Sequence, residues 1–218
     1  MNITSDEEKL FNKLKQSNPN IIIDGIVDEQ EYSSAKFKIV YILKEANGGQ
    51  VGNLKQFLYY GGRPQSWDNI SRWTEAILNI EQNHNWSYWE KNCEQRRKIY
   101  LKKIGVINLK KEAGGHTSIS REVKRAAIEN SIFLQNQLSL YKPNIIICCG
   151  TIDSFIKSIR PHSDIKWQST SRGIWYYIEN ETIVISFLHP EARVKDCILH
   201  YALLDALKEI LDTHKLSL

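Results

Sequence analysis

The chain has 218 residues, 42% of them hydrophobic, enough to build the core of one globular domain. No apolar run approaches the ~20 residues that a membrane span needs, and a net charge of +4 permits a polyanionic partner without demanding one. Cys93, Cys148, Cys149 and Cys197 form no C-x-x-C pair, and successive strand residues such as Cys148 and Cys149 point to opposite faces, so free thiols are expected rather than a metal site or a disulfide framework.

The first stretch, MNITSDEEKLFNKL, is acidic and amphipathic and lacks the apolar core of a secretory signal. It predicts a soluble, cytoplasmic protein, with residues 1–36 as a helical extension of a single domain spanning 1–218. Phe37 to Leu43 (FKIVYIL) follows as an apolar, β-branched run that suits a buried strand. SRWTEAILNI then reads as a helix that Asp68 or Asn69 could cap. Trp86, Tyr88 and Trp89 crowd the stretch NHNWSYWEKN beside Arg96, Arg97 and Lys98. That pattern suits an indole-packed core edge, and also a surface for single-stranded nucleic acid. The basic run Glu90 to Lys103 is read as a solvated helix face.

Ile104 to Leu109 is a second, shorter strand. SREVKRAAIENSIFLQNQLSLY carries Val123, Ala127, Ile128, Ile132, Leu134 and Leu138 at mixed three-and-four spacing, which predicts one long helix started by Ser118 or Ser120. Pro143 to Gly150 is a third strand and TIDSFIKSI the helix after it. A hairpin turn is expected around Glu179-Asn180-Glu181, with Thr182 to Leu188 as the last strand and CILHYALLDALKEILDTH as the closing helix. Strands alternating with helices predict a three-layer α/β/α sandwich around a central, mainly parallel four-stranded sheet.

Ligands of such folds bind beyond the carboxyl ends of the strands. The loops there hold Glu45, Asn47, Asn108, His116, His189 and Arg193, with Gly48, Gly49, Gly114 and Gly115 allowing tight turns or close approach. Singly, each has an ordinary reading: a solvated carboxylate, a turn-forming asparagine, a structural histidine before Pro190. Gathered at one edge of one sheet they make an acid/base constellation.

In order, the stretches KIVYILKEANGG, GVINLKK, FLQNQLSLYKPNIIICCGT and ISFLHPEAR resemble the motifs of the uracil-DNA glycosylase superfamily, nearest in motif order to its iron–sulfur branch. The resemblance covers roughly residues 37 to 211 and implies the uracil-DNA glycosylase-like fold. It implies a monomer that binds DNA, extrudes a nucleotide and cleaves its base–sugar bond. Glu45 and His189 are then catalytic: the carboxylate orients a water or stabilises the cationic sugar, and the imidazole donates to the departing base. Ala46, Asn47, Gly48 and Asn108 line the base, with Asn108 both donating and accepting at its Watson–Crick edge. Lys44, Lys110, Lys111, Arg121 and Arg193 are expected on the DNA, with Arg193 in the gap left by the flipped base.

Departures from that pattern are equally specific. Asn47 stands where the first motif has proline, and Lys44 where it has glycine. Glu112 and Asn130 occupy places of cluster cysteines, so no cluster, metal or other cofactor is expected. GGRPQSW keeps Gly62-Arg63-Pro64 but has Gln65 where the branch has its stacking phenylalanine, leaving Trp67 or Tyr60 to stack on the base. Two other functions fit the same residues: a binding module of this fold without catalysis, and an α/β enzyme acting on free nucleosides or nucleotides.

Overall fold

A computed structural model describes residues 2–46, 52–115, 117–160 and 164–215. Among these residues the sheet has seven strands, in the order β1-β3-β2-β4-β7-β6-β5. They are β1 (Gly25–Ile26), β2 (Ile39–Leu43), β3 (Ile104–Asn108), β4 (Ile145–Cys149), β5 (Gln168–Ser169), β6 (Trp175–Glu179) and β7 (Thr182–Phe187). The four strands expected from the sequence are its mutually parallel centre, β3-β2-β4-β7. The sheet as a whole is mixed rather than four-stranded, because β1, β6 and β5 add antiparallel strands at its two edges. The hairpin falls where expected: β6 and β7 pair antiparallel across Asn180 and Glu181, both at positive φ (48° and 67°), as a two-residue turn of the twisted-hairpin type needs.

Strand alternation divides the core. Ile39, Tyr41, Ile145, Ile147, Ile183 and Ile185 pack on one side against α4 (Pro64–Leu78) and α10 (Asp196–His214). Val40, Ile42, Ile146, Cys148 and Val184 face the other side, covered by α7 (Ser120–Glu129), α8 (Ser131–Tyr141) and α9 (Ile152–Ile159). Cys148 and Cys149 thus fall on opposite faces. The N-terminal 36 residues hold α1 (Ile3–Ser17) and α2 (Glu29–Ser34), and they also supply edge strand β1. Phe11 of α1 meets Phe133 of α8 edge to face at 5.0 Å. At Gly25 (φ +128°) a Cβ would sit 1.9 Å from Glu7 Oε1, so only glycine allows that buried carboxylate its place. No described helix is long and apolar enough to cross a membrane.

Three helical expectations are corrected. α4 begins at Pro64, one turn before the anticipated caps, because proline fits the first helical position. Asp68 and Asn69 lie inside the helix: Asp68 pairs with Arg97, and Asn69 donates to Pro190 O at 2.8 Å. The long helix is two helices, broken at Asn130 (φ −93°, ψ 14°). The break lets Val123 and Ala127 and then Leu134 and Leu138 reach the same core, while Ile128 and Ile132 stay exposed. Neither Ser118 nor Ser120 caps it; Ile119 precedes the first turn with no side-chain bond.

The basic run is a solvated face only in part: Lys91, Glu94, Gln95 and Lys98 are exposed. Arg96 and Arg97 of α6 (Cys93–Tyr100) are buried against α4, Arg96 on Glu75 and Arg97 on Asp68. The Arg96 guanidinium lies over the Trp89 ring at 5.4 Å, so this part of the aromatic stretch is a core edge.

His200 of α10 closes that region. It is fully buried, 4.4 Å from the Trp89 ring, and neither ring nitrogen has a hydrogen-bond partner among the described residues. Burial first, then the Arg72 and Arg96 charges, lower its pKa from 6.5 to about 4. Between those values the unfolded chain binds the proton and the folded chain does not, so stability falls with decreasing pH, by up to about 1.4 kcal/mol per unit. His200→Phe is expected to flatten this dependence in urea titrations run from pH 7 to 4.5, and an unchanged slope would refute the assignment.

Candidate functional site

β2 and β3 end side by side, with Leu43 opposite Asn108. Their ladder runs on into the loops: Leu109 N–H donates to Leu43 O (3.0 Å), Lys110 N–H to Lys44 O (2.9 Å) and Gly114 N–H to Ala46 O (2.8 Å). After β4, Gly150 (φ +66°) turns the chain and donates to Phe187 O at 2.7 Å, which ties the end of β7 to the same edge. Over these strand ends opens a cavity of about 370 Å³, within the usual range of ligand sites. Glu45, Asn108 and His189 all line it.

Asn108 is the floor. Its residue is 2% exposed, and neither its amide oxygen nor its amide nitrogen has a partner among the described residues. Orphaned buried polar atoms cost about 1–3 kcal/mol each, and such pairs are rare in folded proteins. The backbone beneath is held firmly. Asn108 N–H donates to Asp24 Oδ2 at 2.7 Å; Lys111 Nζ lies 2.7 Å from Asp24 Oδ1; Gln137 accepts from Lys111 and donates to Asp24, both at 2.8 Å.

Glu45 forms one wall. Its side chain is 4% exposed, and Oε2 lies 2.8 Å from Lys110 Nζ, which also reaches Glu122 at 3.6 Å. The Glu45 carboxylate beside it raises the pKa of Lys110 above the ordinary lysine value.

His189 lines the cavity from the loop after β7. The Glu191 N–H donates to its Nδ1 at 3.1 Å, so the neutral ring carries its proton on Nε2. Burial lowers its pKa below 6.5, opposed by the Glu191 carboxylate and assisted by the Lys44 charge. α4 fixes the loop from below. Ser66 N–H donates to Glu191 Oε1 (3.0 Å), and Asn69 bridges Pro190 O and Asp196 Oδ1 (2.8 Å each).

Lys44, expected on DNA, and Ala46 and Trp67, expected at the base, all line the cavity, and Trp67 is largely buried in its wall. Asn47, Gly48, Gly49 and His116 lie outside the described residues. Tyr60 does not reach the cavity: it is 69% exposed and packs edge to face on Tyr59 at 5.4 Å. Phe57, from α3 (Leu54–Tyr59), lines the cavity in its place. The sequence held a signal for it, since Phe57 stands one helical turn ahead of Gly61-Gly62, but Tyr60 is nearer the motif. Lys111 is 1% exposed and paired with Asp24, so it cannot grip a phosphate. Lys110 is engaged by two carboxylates rather than open to solvent. Arg121 and Arg193 are exposed, as is Arg63 at the cavity, a residue the sequence reading did not place on DNA. Asp24 and Gln137 were also missed; a lone acid after Ile21-Ile22-Ile23 was the available hint of burial.

Among the described residues, no three His, Cys, Asp or Glu side chains gather as a metal site would require. No model of a known protein family matches the chain, and a search of curated proteins finds no match.

Proposed function

We propose that the protein is a DNA glycosylase-like hydrolase that cleaves the N-glycosidic bond of a flipped uracil or other modified base. The observation that carries this reading is the cavity in which the unpartnered Asn108 amide shares walls with His189 and Glu45. The four parallel strands and their flanking helices are read as the uracil-DNA glycosylase-like fold.

Cleavage of the C–N bond leaves negative charge on the base and positive charge on the sugar. A neutral imidazole with its proton on Nε2 donates to a base oxygen as that charge develops. Asn108 supplies one donor and one acceptor, the pattern that a pyrimidine-type Watson–Crick edge satisfies. Glu45, paired with Lys110, stabilises the cationic sugar or orients the attacking water. Phe57 and Trp67 offer ring surface for the extruded base. Lys44 and Arg63 at the cavity make no ion pair among the described residues, and with exposed Arg121 and Arg193 they give DNA phosphates their contacts.

The test is a panel of oligonucleotides carrying uracil and other modified bases, single- and double-stranded, treated with alkali after incubation. Strand breaks at one modified position are the expected result. Salt-sensitive binding with no abasic product would instead favour a non-catalytic module, and turnover of free nucleosides without DNA affinity a small-molecule enzyme.

A further inference from the structure

We infer that Lys110 is a positioning residue which, together with Gly114, clamps the Glu45 carboxylate in one orientation at the cavity wall; the inference rests on the glycosylase reading above. The two ends of the carboxylate are fixed in different ways. Oε2 is held by the Lys110 ammonium at 2.8 Å. The contact is an ion pair, and Oε2, itself shut off from solvent, has no hydrogen-bond partner among the described residues. The rest of the group lies hard against Gly114. A Cβ there would come 2.2 Å from Glu45 Cδ and 2.4 Å from Oε1, nearer than any real side chain approaches.

The clamp is built from backbone as well as side chains. Lys110 N–H is bonded to Lys44 O and Gly114 N–H to Ala46 O, so the residues on either side of Glu45 are zipped to the two residues that hold it. Glu122 of α7, 3.6 Å from Lys110 Nζ, anchors the ammonium from the helix side. Without Lys110, a carboxylate only 4% exposed would be left without its cation, a state that buried acids escape by moving or by taking up a proton. Both responses would remove the charge that the cationic sugar needs.

The experiment compares wild type with Lys110→Met, Lys110→Arg, Gly114→Ala and Glu45→Gln, using the oligonucleotide that the wild type cleaves best. Melting curves establish which variants fold. Lys110→Met and Gly114→Ala are expected to lower kcat by about 10²-fold with KM nearly unchanged, since a displacement of about 1 Å at a reacting centre has that effect. Lys110→Arg should recover most of the loss. A Lys110→Met enzyme with wild-type kcat, a loss confined to KM, or no rescue by arginine would overturn the role of Lys110. A second measurement needs no turnover. In ¹⁵N-lysine-labelled protein, the Nζ signal missing from Lys110→Arg belongs to Lys110, and its titration should move to lower pH in Glu45→Gln. An unmoved titration overturns the clamp itself. A wild type that releases no base overturns the glycosylase reading, whereas base release beside a fully active Lys110→Met overturns only this inference.

Discussion

His189→Ala is expected to lower the single-turnover rate of base release by about 10²–10³-fold, the usual effect of deleting one preorganised donor. DNA affinity should change little, because the phosphate contacts proposed above are made by other side chains, Lys44, Arg63, Arg121 and Arg193. The geometry behind the expectation is specific. The Glu191 amide gives its hydrogen to Nδ1, which leaves Nε2–H as the donor. A protonated ring carries hydrogen on both nitrogens and would turn Nδ1–H against the Glu191 N–H. Activity should therefore fall as pH drops through the folded pKa of His189, and burial puts that pKa below 6.5. The acid limb of the rate profile thus belongs below pH 6.5, with a plateau above it. His189→Gln, which retains an N–H donor, should lie between alanine and wild type. Wild-type rates in His189→Ala, measured under single-turnover conditions to exclude slow product release, would sink the assignment.

The sheet was the most legible part of the chain, and the reason is burial. β2, β3, β4 and β7 are covered on both faces, so each reads as a near-continuous apolar run, interrupted inside only by Ser186 of β7. Strand ends then located Glu45, Asn108 and His189, because a parallel sheet sends all its carboxyl ends to one edge. The edge strands β1 and β5 escaped notice because two residues each leave no periodicity to detect. Charged side chains misled most. Lys111, Arg96 and Arg97 carry no mark of burial in the sequence, since their partners Asp24, Glu75 and Asp68 lie 87, 21 and 29 residues away. A lysine in a loop at the ligand edge was reasonably assigned to phosphate. What decides its fate is a carboxylate that only the folded chain brings near.

That difference gives the last prediction, on stability rather than turnover. Lys111→Ala is expected to destabilise the protein by about 3–5 kcal/mol, the usual result of breaking a buried ion pair from one side. Lys111 is 1% exposed, and burial pulls its pKa below the ordinary lysine value while Asp24 opposes the shift. Remove the ammonium and the Asp24 carboxylate remains, sealed in the core, with the Asn108 N–H and the Gln137 amide as its remaining partners among the described residues. Gln137→Ala leaves the charges paired and should cost less. Replacing both ions by apolar residues, Asp24→Leu with Lys111→Met, should cost far less than the sum of the single changes, because no charge is then stranded. Urea unfolding of the single and double variants measures the coupling directly. The same network holds the Asn108 backbone, so variants that still fold should lose discrimination between bases before they lose affinity for DNA. A Lys111→Ala protein of wild-type stability whose DNA affinity falls equally for every sequence would return the residue to the phosphate surface and break the link between this buried network and the cavity floor.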